Sequence, residues 1–216
     1  MNSELQCWTR LQMAEKVAQA IPDGSVVNLG IGLPTQVASQ IGSQREIILH
    51  SENGMLGMGP PAAEGEEDFD LVNAGKQAVT LKPGGCFFHH ADSFAMMRGG
   101  HIDICVLGAY QVSLGGDLAN WQTETAGTIP AVGGAMDLAI GARKIFVMMA
   151  HQDKTGRSKL VRSCSYPLTA QACVDRIYTD LAVLDVTPEG LRVLERVDGL
   201  SHADLQFLSA VPLLAN

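Results

Sequence analysis

No stretch of this 216-residue chain reaches the roughly 18 consecutive apolar residues that a membrane-spanning helix needs. Its first residues, MNSELQCWTRLQMAEK, have neither the basic start nor the apolar centre of a secretory signal, so the default expectation is a cytoplasmic protein. No CxxC pair occurs among the five cysteines, Cys7, Cys86, Cys105, Cys164 and Cys173. Their odd count predicts reduced thiols scattered through a core, not a disulfide framework or a zinc site. Positive charge is scarce: 15 Lys and Arg against 23 Asp and Glu leave a formal net charge of −8. That balance disfavours nucleic-acid binding, which needs a basic surface. An anionic small ligand would have to be held by a few local cations, backbone N–H groups and helix N-termini. Repeats, low-complexity tracts and Pro/Ser-rich linkers are also missing, which predicts one domain over residues 1–216. What is plentiful is apolar residues, 46% against 18% charged, enough for a substantial core.

Thr9 followed three residues later by Gln12 forms a capping box and predicts a helix over about 10–20, with Met13, Ala14, Val17 and Ile21 as its apolar stripe. After the PDG turn (22–24), SVVNLG (25–30) reads as a short strand. In GIGLPTQVASQIG a glycine loop leads into a helix, with Pro34 in the first turn, where its missing N–H is no loss. REIILH (45–50) sets Ile47 and Leu49 against Ile48 and His50. Apolar groups on both faces predict an interior strand of a covered parallel sheet. AAEGEEDFD (62–70) reads as a solvated acidic loop, QAVTL (77–81) as a strand, and ADSFAMMRGG (91–100) as a helix stopped by glycine. A strand lies within HIDICVLGAYQV (101–112). GGAMDLAIGARKIFVMM (133–149) reads as a glycine-led helix feeding a strand, and LAVLDVTPEGLRVLERV (181–197) as a hairpin turning at Thr187–Gly190. The alternation predicts an α/β fold: an open, mainly parallel sheet flanked by helices, with an antiparallel C-terminal hairpin.

In open α/β sheets, ligands sit beyond the carboxyl ends of the strands. Three glycine-rich turns fall in such places, at 30–32, 54–59 and 133–134. The second lies in HSENGMLGMGP (50–60), where one carboxylate, Glu52, follows a strand end. Asn53-Gly54 can make the left-handed turn that leaves this side chain projecting. A glutamate with an ordinary pKa of about 4.3 is ionised at neutral pH, so it can act as a nucleophile without an adjacent base. The bland alternative is a capping or solvated turn carboxylate. GIGLP lacks the third glycine of a dinucleotide fingerprint. His89-His90 invites a metal reading, but neighbours on a strand face opposite ways and no third ligand has suitable spacing, so no metal site is expected.

HSENGMLGMGP resembles the SENG signature of the B (beta) subunits of family I CoA-transferases. Further blocks resemble the family and stand in its order: NLGIGLPT, DLVNAGKQAVT, FAMMRGGHIDICVLGAYQV, GDLANW, GGAMDLAIGARK, KLVRSCSYPLT and DRIYTDLAVLDV. Together they span about residues 10–190. Within the family, GGCFFHHADSFAMMRGGH, GTIPAVGGAMDLA and LSAVPLL most resemble the B subunits that serve 3-oxoadipate. The resemblance implies a fold of the kind shared with sugar-phosphate isomerases and a double displacement that moves CoA from succinyl-CoA to that acid. The pathway it implies is aromatic-compound degradation. It also implies a partner A subunit in an α₂β₂ assembly, with coenzyme A as substrate and no separate cofactor.

By the same resemblance Glu52 is the nucleophile that carries CoA as a glutamyl thioester. The Gly134 amide, with Gly133 beside it at a helix start, suits the oxyanion that each addition forms. Such a donor is worth on the order of 10²–10³ in rate. Asn28 and Lys76 match positions that contact CoA or close over the site, Gly30 and Gly32 offer backbone N–H groups in NLGIG, and Asn53 and Asn120 support the pocket. Lys76 is otherwise a solvated lysine, and Asn120 a turn residue. The FFHHADSF block, with His89 and His90, is the expected place for selection of a dicarboxylic acid. Rival readings are an acetoacetate, butyrate or acetate CoA-transferase subunit, an acyl-CoA hydrolase that admits water beside Glu52, and a non-catalytic sensor on the same scaffold.

Overall fold

A computed structural model of the chain describes residues 6–123 and 131–215. Helix α1 (Arg10–Ala20) starts at the predicted box: Thr9 N donates to Gln12 Oε1, and Gln12 N donates to Thr9 Oγ1. Strand β1 (Val26–Leu29) is followed by a 3₁₀ turn (Leu33–Gln36) holding Pro34 and by the short α2 (Val37–Gln40). Strand β2 (Ile48–Ser51) reverses at once into β3 (Met55–Pro61), and β4 (Val79–Phe87) returns beside it. Helix α3 (His90–Arg98) leads to β5 (Ile104–Gly108) and the short β6 (Gln111–Ser113) and β7 (Leu118–Ala119). Helix α4 (Ala135–Gly141) feeds β8 (Lys144–Met148), then β9 (Leu160–Val161) and β10 (Arg176–Tyr178). The hairpin β11 (Ala182–Thr187)–β12 (Gly190–Arg196), helix α5 (His202–Leu208) and β13 (Leu213–Leu214) complete the described chain.

Among the described residues the main sheet runs β13-β12-β11-β10-β8-β5-β1-β2-β3-β4. Its centre, β10-β8-β5-β1-β2, is wholly parallel. Side chains there alternate between two cores. Ile104 and Val106 join the core under α1 with Met13, Ala14 and Val17, whereas Cys105 and Leu107 join the opposite core with Met97 and Leu138. A period of two with both faces covered explains why these strands read as continuous apolar runs. Ile48 departs from the pattern at 40% exposure, so β2 is incompletely covered on one face.

Two expectations need correction. Residues 54–59 are not one glycine-rich turn: the turn ends at Gly54, and β3 runs antiparallel to β2. Gly57 and Gly59 serve a close strand approach instead, since a Cβ on Gly57 would lie 2.8 Å from the Gly85 Cα and one on Gly59 would strike Thr80. The sheet therefore has antiparallel strands on both sides of its centre, not only at the C-terminal hairpin. His89 and His90 are not on a strand either. His89 caps α3, its Nδ1 accepting from Ala91 N at 3.1 Å, and His90 is the first helical residue.

Candidate active site

The carboxyl ends of β1, β2, β5 and β8 converge on one cavity of about 770 Å³. Its wall includes Asn28 near the end of β1 and Gly30 just past it, Glu52 after β2, Gly108 at the end of β5 and Tyr110 beyond it, and Met149 after β8. This is the position that parallel topology assigns to ligands.

Glu52 stands on a turn fixed by its neighbours. Gly54 N donates to Ser51 O (3.0 Å), and Gly54 adopts φ +113°, which glycine alone tolerates without strain. A Cβ on Gly54 would also collide with the Phe88 carbonyl. Ser51, buried, accepts on Oγ from Ala74 N (3.1 Å), and Asn53 donates to Val72 O (2.8 Å). The turn is thereby tied to the 71–79 segment on two sides. Asn53 is exposed and does not line the cavity: it anchors the turn.

Glu52 itself is half-buried. Burial raises its pKa above the ordinary glutamate value, His90 opposes that shift by attraction and Asp137 reinforces it. Its carboxylate is thus desolvated and held at higher energy than the sequence alone suggested. Gly134 is packed against it: any Cβ there would collide with Glu52 Oε2, and would lie 3.3 Å from the Phe94 ring. Gly134 is also the N-cap of α4 and Gly133, at φ +55°, shapes the entry to it. Both glycines line the cavity. Glu52 and Gly134 therefore stand side by side in space, although the two lie far apart in sequence.

Under the turn runs a buried chain of polar groups that sequence reading missed. Cys105 Sγ donates to Asn28 Oδ1 (3.8 Å), Asn28 Nδ2 meets His50 Nδ1 (3.1 Å), and His50 Nε2 meets Ser93 Oγ (2.9 Å). Burial pushes the His50 pKa down to about 4, so the ring is neutral at physiological pH. With Nδ1 accepting from Asn28, the proton sits on Nε2 and donates to Ser93. Asn28, 3% exposed, has its carboxamide committed to this chain. Gly30 N likewise donates to Val106 O (2.8 Å) and not into the cavity. Both residues shape the wall, with these hydrogen-bonding groups engaged by the fold.

The remaining expected residues divide. Asn120 lines the cavity with its Oδ1 accepting from Thr169 Oγ1 at 2.6 Å. Gly32 stays outside, taking φ +92° to start the 3₁₀ turn. Lys76 is exposed at φ +63°, on the Asn73–Gln77 turn whose other members line the cavity. His89 and His90 do not line it. Lys159 and Trp121, which sequence reading passed over, do.

The family model and the relatives of high identity agree. The family described as Coenzyme A transferase matches residues 10–198. The chain is 66% identical over 206 residues to the B subunit of 3-oxoadipate CoA-transferase from Pseudomonas putida, covering 95% of this chain and 96% of that protein. It is 61% identical to the corresponding 3-oxoadipate CoA-transferase chain from Acinetobacter baylyi, covering 95% of each. A solved acyl-CoA transferase from Escherichia coli O157:H7 shares the fold with a TM-score of 0.77 at 18% identity, over 100% of this chain and 43% of that one.

Proposed function

The chain belongs to the coenzyme A transferase family, and we propose that it is the glutamate-bearing subunit of an enzyme that moves CoA from succinyl-CoA to 3-oxoadipate. The Glu52 carboxylate packed against Gly134 at the end of β2, in the wall of the cavity, carries this reading. High identity to two 3-oxoadipate CoA-transferase chains supports the choice of acid, and the place in aromatic degradation is the one the family resemblance implies. Among the described residues no helix is long and apolar enough to cross a membrane, which fits a cytoplasmic enzyme.

In this reading an oxygen of Glu52 attacks the thioester carbonyl of succinyl-CoA. The C–S bond breaks and CoA leaves as thiolate, a tolerable leaving group because a thiol has a pKa of about 8.5. The thiolate attacks the glutamyl carbonyl of the resulting mixed anhydride, succinate departs, and a glutamyl-CoA thioester remains. The 3-oxoadipate carboxylate then attacks that thioester and expels CoA thiolate once more. Thiolate attack on the acyl side of the second anhydride gives 3-oxoadipyl-CoA and restores Glu52. The activated bond is kept throughout, provided water is excluded.

Partial desolvation suits Glu52 to this role, because a poorly hydrated carboxylate is a better nucleophile. The Gly134 amide at the start of α4 is the oxyanion donor from this chain. Lys76 lies on a turn that borders the cavity, and in this reading it meets a phosphate of CoA. A partner A subunit completes the site, two of each chain forming the assembly.

The test uses the chain co-purified with its A subunit and given succinyl-CoA alone. The expected result is a CoA adduct on the Glu52 peptide by mass spectrometry. Release of succinate and CoA with no adduct would mark a hydrolase, and no reaction at all a sensor. Light scattering of the pair should read twice the combined subunit mass.

A further inference from the structure

Among the described residues that line the cavity, Glu52 and Lys159 alone carry formal charge at neutral pH, His50 being held neutral. Lys159 is the only cation among them. Its backbone is clamped twice, N donating to His151 O (2.9 Å) and the carbonyl accepting from Val112 N (3.0 Å). The side chain is half-buried, and burial lowers its pKa. Asp180 and Asp153 pull the other way at longer range, yet neither makes an ion pair with it. Asp180 is engaged by His151 N (2.7 Å), and Asp153 by Thr155 and Arg157. A half-buried ammonium without a carboxylate partner is unfavourable until a ligand supplies one.

Its position sets which ligand group that is. Glu52 follows β2, whereas Lys159 is held against the chain just past β8, with β1 and β5 between them in the sheet. Three strand spacings put the two backbones on the order of 14 Å apart. Glu52 and Lys159 make no ion pair with each other, and the cavity they share leaves a gap that a four-carbon diacid can fill. The groups acting on Glu52 are His90 and Asp137, not Lys159, which agrees with such a gap.

We infer that Lys159 selects dicarboxylic acyl groups: its ammonium pairs with the far carboxylate of the succinyl donor while the reacting carbonyl lies at Glu52. This deepens the transferase reading and rests on it. It also moves diacid selection away from His89 and His90, which lie outside the cavity wall.

The experiment compares two donors on the protein co-purified with its A subunit. Succinyl-CoA and butyryl-CoA have the same chain length, and butyryl-CoA carries a methyl group where the other has its carboxylate. Rates of CoA adduct formation on Glu52 are read in single turnover for wild type, Lys159→Met and Lys159→Arg. The succinyl-over-butyryl ratio should fall on the order of 10²-fold in Lys159→Met and stay within about tenfold of wild type in Lys159→Arg. Both donors are read on the same preparation, so loss of folded protein cancels from the ratio. If Lys159→Met slows both donors equally, or neither, Lys159 does not recognise the far carboxylate and the inference is wrong. If wild type forms no adduct from either donor, the transferase reading itself fails.

Discussion

On one side of the parallel strands, β3 and β4 leave many residues exposed, carry four glycines and slip register twice. On the other side, β11 and β12 slip once and bury Leu184, Leu191 and Val193 in a core shared with Leu205 and Val211. Both flanks are antiparallel additions to the same sheet. The difference follows from what each does. The C-terminal flank only has to cover apolar surface, and regular pairing with large side chains does that best. The flank beside Glu52 has to bring backbone within contact of backbone, and it leaves a cavity open, so it gives up side chains and regularity to do so.

The largest effect should come from the flank beside Glu52. Glu52→Ala should abolish the CoA adduct and lower turnover by ~10⁴-fold or more with the fold intact, read by steady-state rate and circular dichroism. Full activity in that variant would remove the distinction between the flanks. Leu191→Ala, in the other flank, should do the reverse. It should cost about 2–5 kcal/mol in urea unfolding while the folded fraction keeps its turnover number.

Gly134→Ala probes the contact itself. Its φ of −79° suits alanine, so the backbone is not strained, but the new methyl displaces the Glu52 carboxylate. Activity should fall by ~10²-fold with little change in melting temperature. A large loss of stability instead would mean that the glycine serves packing more than the nucleophile.

Titration gives a smaller contrast. Burial holds His50, under the catalytic turn, and His151, beside the C-terminal flank, at about 4 against an ordinary 6.5. A depressed histidine contributes stability that is present above pH 6.5 and is lost as the unfolded state takes up protons while pH falls towards 4. Melting temperature should therefore drop over that window. Glu52 has the opposite sign. Its raised pKa means that its ionised form opposes folding above the ordinary 4.5. Glu52→Gln should raise the melting temperature at pH 7, and the gain should vanish below pH 4.5.

The smallest effect is expected at Lys76. Because its φ of +63° suits glycine, Lys76→Gly should stabilise the fold by about 0.5–1 kcal/mol. The same change should raise KM for succinyl-CoA several-fold if the ammonium meets a CoA phosphate. An unchanged KM would leave it as a solvated lysine.

What the sequence determined was what is written locally. The capping box at Thr9 and Gln12 placed α1, the turn at Thr187–Gly190 placed the last hairpin, and HSENG put a carboxylate just past a strand end. These are short-range patterns, because capping, turning and period-two burial involve residues a few positions apart. Tertiary structure decided what each group faces. Asn28 and Gly30 stand at the end of a legible strand, yet β2 and β5 claim their hydrogen bonds. Gly57 and Gly59 read as turn residues until β4 lies against them. Lys159 opens the block KLVRSCSYPLT, but nothing local marks it out, and only the order of strands in the sheet brings it to the cavity that holds Glu52. Partners in a hydrogen bond or ion pair are chosen by whatever the fold sets opposite, and that is fixed by burial of distant segments against one another.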